Sequence, residues 1–183
     1  MLAKITPAVM DYVARLAPRS HAIMCYEDTE IIRQVFKAFV DGSVEKNEAV
    51  QVICSSRNAY DAFMQIANLS PLARDHVQCL PMSEFSSKSG GVNHEKALSV
   101  IKSALEATSK MGFNGLRIFS LSNQYFDHIS TDEVVRFEQQ LGHEFTLPIA
   151  MICAYDTAKN LSDEVLLDLL RAHGSHIFQG LAG

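Results

Sequence analysis

The stretch HAIMCYEDTEIIRQVFKAFV, residues 21–40, decides the fold. After His21 it runs apolar to Tyr26. It then places Ile32, Val35, Phe36 and Phe39 at the spacing of one helix face. A buried strand therefore passes directly into an amphipathic helix. Many such junctions hold glycines and bind phosphate; this one holds Tyr26, Glu27 and Asp28. Asp28 suits the N-cap, and acids at a helix N-terminus are favoured by its dipole. Two carboxylates there would repel a nucleotide phosphate. Neither GxxxxGKS/T nor GxGxxG occurs in the chain.

Outward from this unit, extended and helical patterns alternate. Strands are expected at His21–Tyr26, Ala49–Cys54, Val77–Leu80, Leu116–Leu121 and Pro148–Tyr155, with a closing edge strand at His176–Phe178. Helices are expected after Thr6-Pro7 as far as Pro18, over Thr29–Val40 with Asp41-Gly42 as the stop, and over Asn58–Leu69. Further helices are expected over His94–Lys110 with Asn93 as cap, from Thr131 to Leu141, and from Ser162 to Gly174. Met82–Val92 (MSEFSSKSGGV) is the one clear loop and the expected mobile segment. Strand-helix repetition predicts an α/β fold of three layers, a mostly parallel sheet with helices on both faces. The expected organisation is an amphipathic helix over residues 1–19 and one globular domain over residues 20–183.

Ligands of open parallel sheets bind at the carboxyl ends of the strands. That rule singles out Tyr26 and Glu27, then Ser120 and Asn123, then Tyr155 and Asp156. Tyr26 and Glu27 are the least explained by capping; a ligand, a partner or Arg117 remains open for them. Arg117 lies within a buried strand and needs a partner, with Asp156 or Glu27 as candidates. His173 ends the last helix, where a cation suits the dipole. The cysteines, Cys25, Cys54, Cys79 and Cys153, fall in apolar runs without CxxC spacing and read as reduced core thiols. Cys25, Cys54 and Cys153 with His21 were the one conceivable zinc set, but the spacing does not put them on one face. No metal and no cofactor is therefore expected. No nucleophile–base pair can be named, so no catalytic residue and no enzyme activity is expected.

A net charge of −5 and the lack of any basic run argue against a nucleic-acid surface. No apolar stretch approaches a membrane span, and MLAKITPAVMDYVARL lacks a continuous apolar signal core. A cytoplasmic protein is expected.

Several segments together resemble one family. HAIMCYEDTE leads into a helix and FVDGSVEKNEAVQVICSS; GFNGLRIFS, PIAMICAYD and LSDEVLLDLLRAHG follow in order, spanning Ser20 to Phe178. This arrangement is similar to the MEDS domain, the methanogen/methylotroph DcmR-type sensory domain. The resemblance implies a RecA/KaiC-like fold, a degenerate P-loop type without its phosphate-binding loop. It implies sensing of small, weakly polar, hydrocarbon-derivative ligands. The positions carrying the motifs are His21, Tyr26, Glu27, Arg117, Tyr155, Asp156 and His173. One departure is SLSNQY at 120–125, where family members often carry a GDMSW-like run; the chain has no Trp. No helix-turn-helix or kinase segment accompanies the domain. The expected output is therefore through a signalling partner, such as a histidine kinase or transcription regulator, or through a homodimer. The alternative is an adaptor without a ligand, in which the Pro7–Leu16 helix packs on a partner or a second copy.

Overall fold

A computed structural model describes residues 5–86, 91–159 and 161–178. Six strands form one sheet: β1 (His21–Tyr26), β2 (Glu48–Cys54), β3 (Val77–Pro81), β4 (Gly115–Leu121), β5 (Ala150–Asp156) and β6 (Ser175–Phe178). Their order is β3-β2-β4-β5-β1-β6, and every pairing is parallel. β6 closes the edge beside β1, as expected. β1, β2, β4 and β5 are buried almost throughout, which is why they read as continuous apolar runs.

The helices divide between the faces by chain order. α1 (Pro7–Ala14), α2 (Thr29–Lys46), α3 (Arg57–Ala67) and α4 (Pro71–Asp75) cover one face. There Phe36 and Phe63 meet Phe119 of β4 at ring-centroid distances of 4.9 and 6.0 Å. α5 (His94–Lys110), α6 (Thr131–Leu141) and α7 (Asp163–Ala172) cover the other. Chain that returns leftward from β1 to β3 and then rightward to β6 produces this segregation.

Several boundaries differ from expectation. α2 does not stop at Asp41-Gly42 but runs to Lys46. Asn47, in the left-handed conformation, ends it by donating its N–H to the Ser43 and Val44 carbonyls. Gly42 has another duty: a Cβ there would sit 2.0 Å from the Ala14 carbonyl oxygen. It is the point where α1 lies directly on α2. α1 therefore spends its apolar face within the chain, with Val13 and Leu16 buried. It ends at Ala14, short of Pro18. α3 begins at Arg57 and ends at Ala67 behind a left-handed Asn68, and α4 is an extra turn after Ser70-Pro71. β5 begins at Ala150, not at Pro148. The expected Met82–Val92 loop opens with a 3-10 turn, Met82–Phe85, that buries Met82 and Phe85. Residues 87–90 of it lie outside the described residues.

The caps read from the sequence are present. Thr6, Asp28, Asn93 and Ser162 each accept a backbone N–H of the helix they open. α6 is capped by Ser130, one residue before the expected start.

Arg117 corrects an expectation. Its side chain lies on the α2 face and donates Nε–H to Glu48 Oε2 at 2.6 Å. Neither Asp156 nor Glu27 is its partner. Register decides this: Glu48 of β2 faces Gly115 of β4, two residues before Arg117 on the same side of the pleat.

Candidate functional site

A polar cluster sits inside the core between the sheet and helices α6 and α7. Each member has a local reason for its place. β1 and β5 pair so that His21 faces Met151, Ile23 faces Cys153 and Cys25 faces Tyr155. Alternation then puts His21, Cys153 and Tyr155 on the α6/α7 side. On α6, Val134, Phe137, Glu138 and Leu141 are the buried stripe, at i, i+3, i+4 and i+7. A carboxylate thus occupies a core-facing helical position. His173 stands where α7 ends. All five side chains are buried, and Glu138 is 1 % exposed.

The hydrogen bonds fix every ring and carboxylate. His21 Nδ1 lies 2.6 Å from the Gly142 carbonyl oxygen, and His173 Nδ1 lies 2.7 Å from that of Leu169. Gly142, with φ 74°, turns the end of α6. The Tyr155 hydroxyl donates to Glu138 Oε1 at 2.6 Å. Glu138 Oε2 then faces His21 Nε2 at 3.3 Å and His173 Nε2 at 3.6 Å. Cys153 Sγ lies 3.5 Å from His21 Nε2 and 3.8 Å from Glu138 Oε2. The four atoms Nε2, Nε2, Oε2 and Sγ are all within 4.8 Å of one another. Such a set could hold a metal ion.

Burial governs the charges. Burial opposes ionisation of Glu138, but its hydrogen bond to His21 and the adjacent imidazoles hold the carboxyl below its ordinary value. Burial lowers His173 to about 4, against the attraction of Glu138. His173 is therefore neutral near pH 7 and is not the helix-end cation that the sequence implied. Burial, reinforced by the Glu138 charge, pushes the Cys153 thiol and the Tyr155 hydroxyl well up.

The structure distributes the expected ligand residues over three places. His21, Tyr155 and His173 meet in the buried cluster, with His21 at the amino end of β1. Tyr26 and Asp156 stand side by side at the carboxyl ends of β1 and β5. Asn123 clamps Asp156 there: its Oδ1 accepts the Asp156 backbone N–H and its Nδ2 donates to the Asp156 carbonyl at 3.1 Å. Burial, then the Asp156 charge, pushes Tyr26 up to about 12. Glu27 is exposed beside them. Ser120 is buried and accepts from Ser122 Oγ at 3.0 Å. Arg117 is alone on the opposite face with Glu48. Of the conceivable zinc set, Cys54 instead lies 3.4 Å from Cys79 Sγ. Cys25 is not among the clustered donors, while His21 and Cys153 do come together. Glu138 was missed; a lone Glu in the apolar stripe of α6 was the available signal.

A cleft of about 310 Å³ opens at the carboxyl ends of β2 and β4, beside the Met82–Phe85 turn. Its walls are Met82, Val92 and Ile129, with Ser55, Ser83, Ser86, Tyr125 and His128 as the groups able to hydrogen-bond. Among the described residues no Lys, Arg, Asp or Glu lines it. A neighbouring cleft of about 400 Å³ is lined by Asp127, Lys159 and Asn123 among others.

Fold and site together define an all-parallel, three-layer α/β domain with a clustered polar core and without a glycine-rich phosphate loop. The family model for MEDS, the MEthanogen/methylotroph, DcmR Sensory domain, matches residues 20–174, and the chain belongs to this family. The family is sensory by type, which supports a sensory or regulatory role and suggests a non-enzymatic one. No curated protein matches the chain. Among the described residues no helix is long and apolar enough to cross a membrane.

Proposed function

We propose that this chain is a non-catalytic sensory domain that binds a small, weakly polar, hydrocarbon-derivative ligand at the strand carboxyl ends and signals through a partner protein. The observation that carries the reading is the cleft beside Met82–Phe85. It is small and apolar-walled, and its described residues offer hydroxyls and one imidazole but no Lys, Arg, Asp or Glu. Among the described residues a phosphate or carboxylate ligand would find no lysine or arginine there, whereas a neutral molecule with one or two polar atoms is matched. The acidic β1–α2 junction supports the same conclusion, since it is the opposite of a nucleotide cradle. The family's sensory type supports the regulatory role, and its resemblance to RecA/KaiC-like proteins is the proposed origin of the fold. Tyr26, Glu27, Ser120, Asn123 and Asp156 flank the ligand end of the sheet, and Glu27 is the exposed member fitted to touch a signalling partner such as a histidine kinase or transcription regulator.

Isothermal titration calorimetry with short alcohols, amines and halogenated hydrocarbons tests this, with magnesium-ATP and magnesium-GTP as controls. Saturable binding of one of the first group is expected, and Ser83→Phe, which fills the cleft from an exposed position, should abolish it. Nucleotide binding with hydrolysis would sink the reading.

A further inference from the structure

We infer that His21, Glu138, Cys153 and His173 form a closed binding site for one divalent transition-metal ion of the zinc class. The argument begins with protons. Carbonyl oxygens only accept, so the Nδ1 atoms of His21 and His173, at 2.6 and 2.7 Å from carbonyls, both carry hydrogens. A neutral imidazole has one such hydrogen. With Nδ1 occupied in this way, each ring turns its Nε2 to the same carboxylate oxygen, 3.3 and 3.6 Å away, and becomes a ligand there once Nε2 gives up any proton it carries. His173 Nε2 is buried and makes no hydrogen bond. Electron-rich atoms converge in this way around a cation.

The spacing suits an ion as well as it suits hydrogen bonds. A tetrahedron with bonds of about 2.0–2.3 Å has edges of about 3.3–3.7 Å. Four of the six edges are 3.3, 3.6, 3.5 and 3.8 Å, and all six lie within 4.8 Å. The surroundings are those that metal ligands require. Each imidazole is oriented by a carbonyl on its far nitrogen, and the carboxylate is oriented by the Tyr155 hydroxyl on its other oxygen. Charge also balances. A thiolate and a carboxylate supply two negative charges, so a divalent ion makes the buried site neutral, where any unbalanced charge is costly. Two imidazoles, a thiolate and a carboxylate in tetrahedral array favour zinc among abundant divalent ions. Four protein donors leave no open position, so the ion ties β1, α6, β5 and α7 together and does no chemistry.

The whole chain tests this in two ways. Produced in zinc-supplemented medium without a metal-affinity tag, it should carry about one zinc per chain by mass spectrometry of the elements. Zinc-edge X-ray absorption should find one sulfur and three nitrogen or oxygen neighbours. After unfolding with a chelator and refolding with cobalt(II), tetrahedral visible bands and a near-ultraviolet thiolate charge-transfer band should appear. Cys153→Ser should lose the charge-transfer band. Zinc below about a tenth of an equivalent in the wild-type chain, purified or refolded with zinc, would show that protons alone fill the cluster. A zinc shell without sulfur, or a cobalt spectrum unchanged in Cys153→Ser, would place the ion elsewhere. Either overturns the inference. The zinc measurements need no variant and no small ligand, so they are independent of the sensory reading.

Discussion

Removing Glu48 should unfold this protein more readily than its place at the rim of the core implies. Arg117 is buried, with 2 % of its side chain exposed, against 18 % for Glu48. Its partners are few. Nε–H donates to Glu48 Oε2 at 2.6 Å, Nη1 reaches the Phe39 carbonyl at a weak 3.5 Å, and Nη2 has no hydrogen bond. The guanidinium also lies 5.2 Å from the Phe39 ring centroid. Glu48→Ala leaves that cation in the core with the 3.5 Å contact and the ring. Breaking a buried pair costs about 3–5 kcal/mol, and partial solvent access to Glu48 favours the lower end, about 3 kcal/mol. With an m-value of about 2 kcal/mol per M, the urea midpoint falls by about 1.5 M. Removing both charges, in Arg117→Met with Glu48→Ala, should recover most of the loss, because apolar replacement of a buried pair is often neutral. The assay is urea unfolding followed by circular dichroism across the double-mutant cycle. A cost below about 1 kcal/mol for Glu48→Ala would refute the reasoning, as would a double variant no more stable than the single one.

Other outcomes follow from the same structure. Tyr155→Phe removes the 2.6 Å hydrogen bond to the buried Glu138 carboxylate and should cost about 2 kcal/mol in chemical unfolding. Gly42→Ala drives a methyl group into the Ala14 backbone; it should cost about 1–3 kcal/mol and raise amide exchange in α1 above that in α2. Equal exchange in both helices would contradict the close contact. Burial pushes the Cys25 thiol up to about 11, and burial with the neighbouring Cys79 thiol pushes Cys54 up to about 12. At pH 7.5 a disulfide reagent should therefore label half-buried Cys79 first and leave Cys25, Cys54 and Cys153 slow until the chain unfolds. Rapid labelling of Cys25 in the folded protein would count against its burial. Asn93→Ala removes the α5 cap at Lys96 N and should lower stability by about 1 kcal/mol by the same unfolding assay.

Local chemistry was legible and tertiary chemistry was not. Asp28, Asn93 and Ser162 could be read as caps because a cap needs only the next three residues. Continuous apolar runs such as AMICAY gave the parallel core because burial on both faces removes alternation. Asp41-Gly42 misled because Gly42 answers to α1, a neighbour in space, and the true stop is an Asn47 that no local feature marks as left-handed. Arg117 announced that it needed an acid, but Glu48 became that acid only through the register of β2 against β4. His173 was assigned to the helix dipole, the one interaction visible in its own segment, while its neutrality comes from burial against β1 and α6. Glu138 was visible in principle, as the single acid in the stripe of Val134, Phe137 and Leu141. Its meaning depended on His21, more than a hundred residues away.

That distance bears on how the protein is made. His21 emerges early in synthesis, Glu138 and Cys153 late, and His173 almost at the end of the described chain. Until α7 has left the ribosome, the stripe of α6 carries a carboxylate whose core partners are incomplete, and docking it would bury a poorly compensated charge. The sheet waits as well, because β4 and β5 lie between β1 and β2 and must enter before those two strands share one sheet. By this charge argument the α6 face reaches its full complement of partners only when the last helix docks.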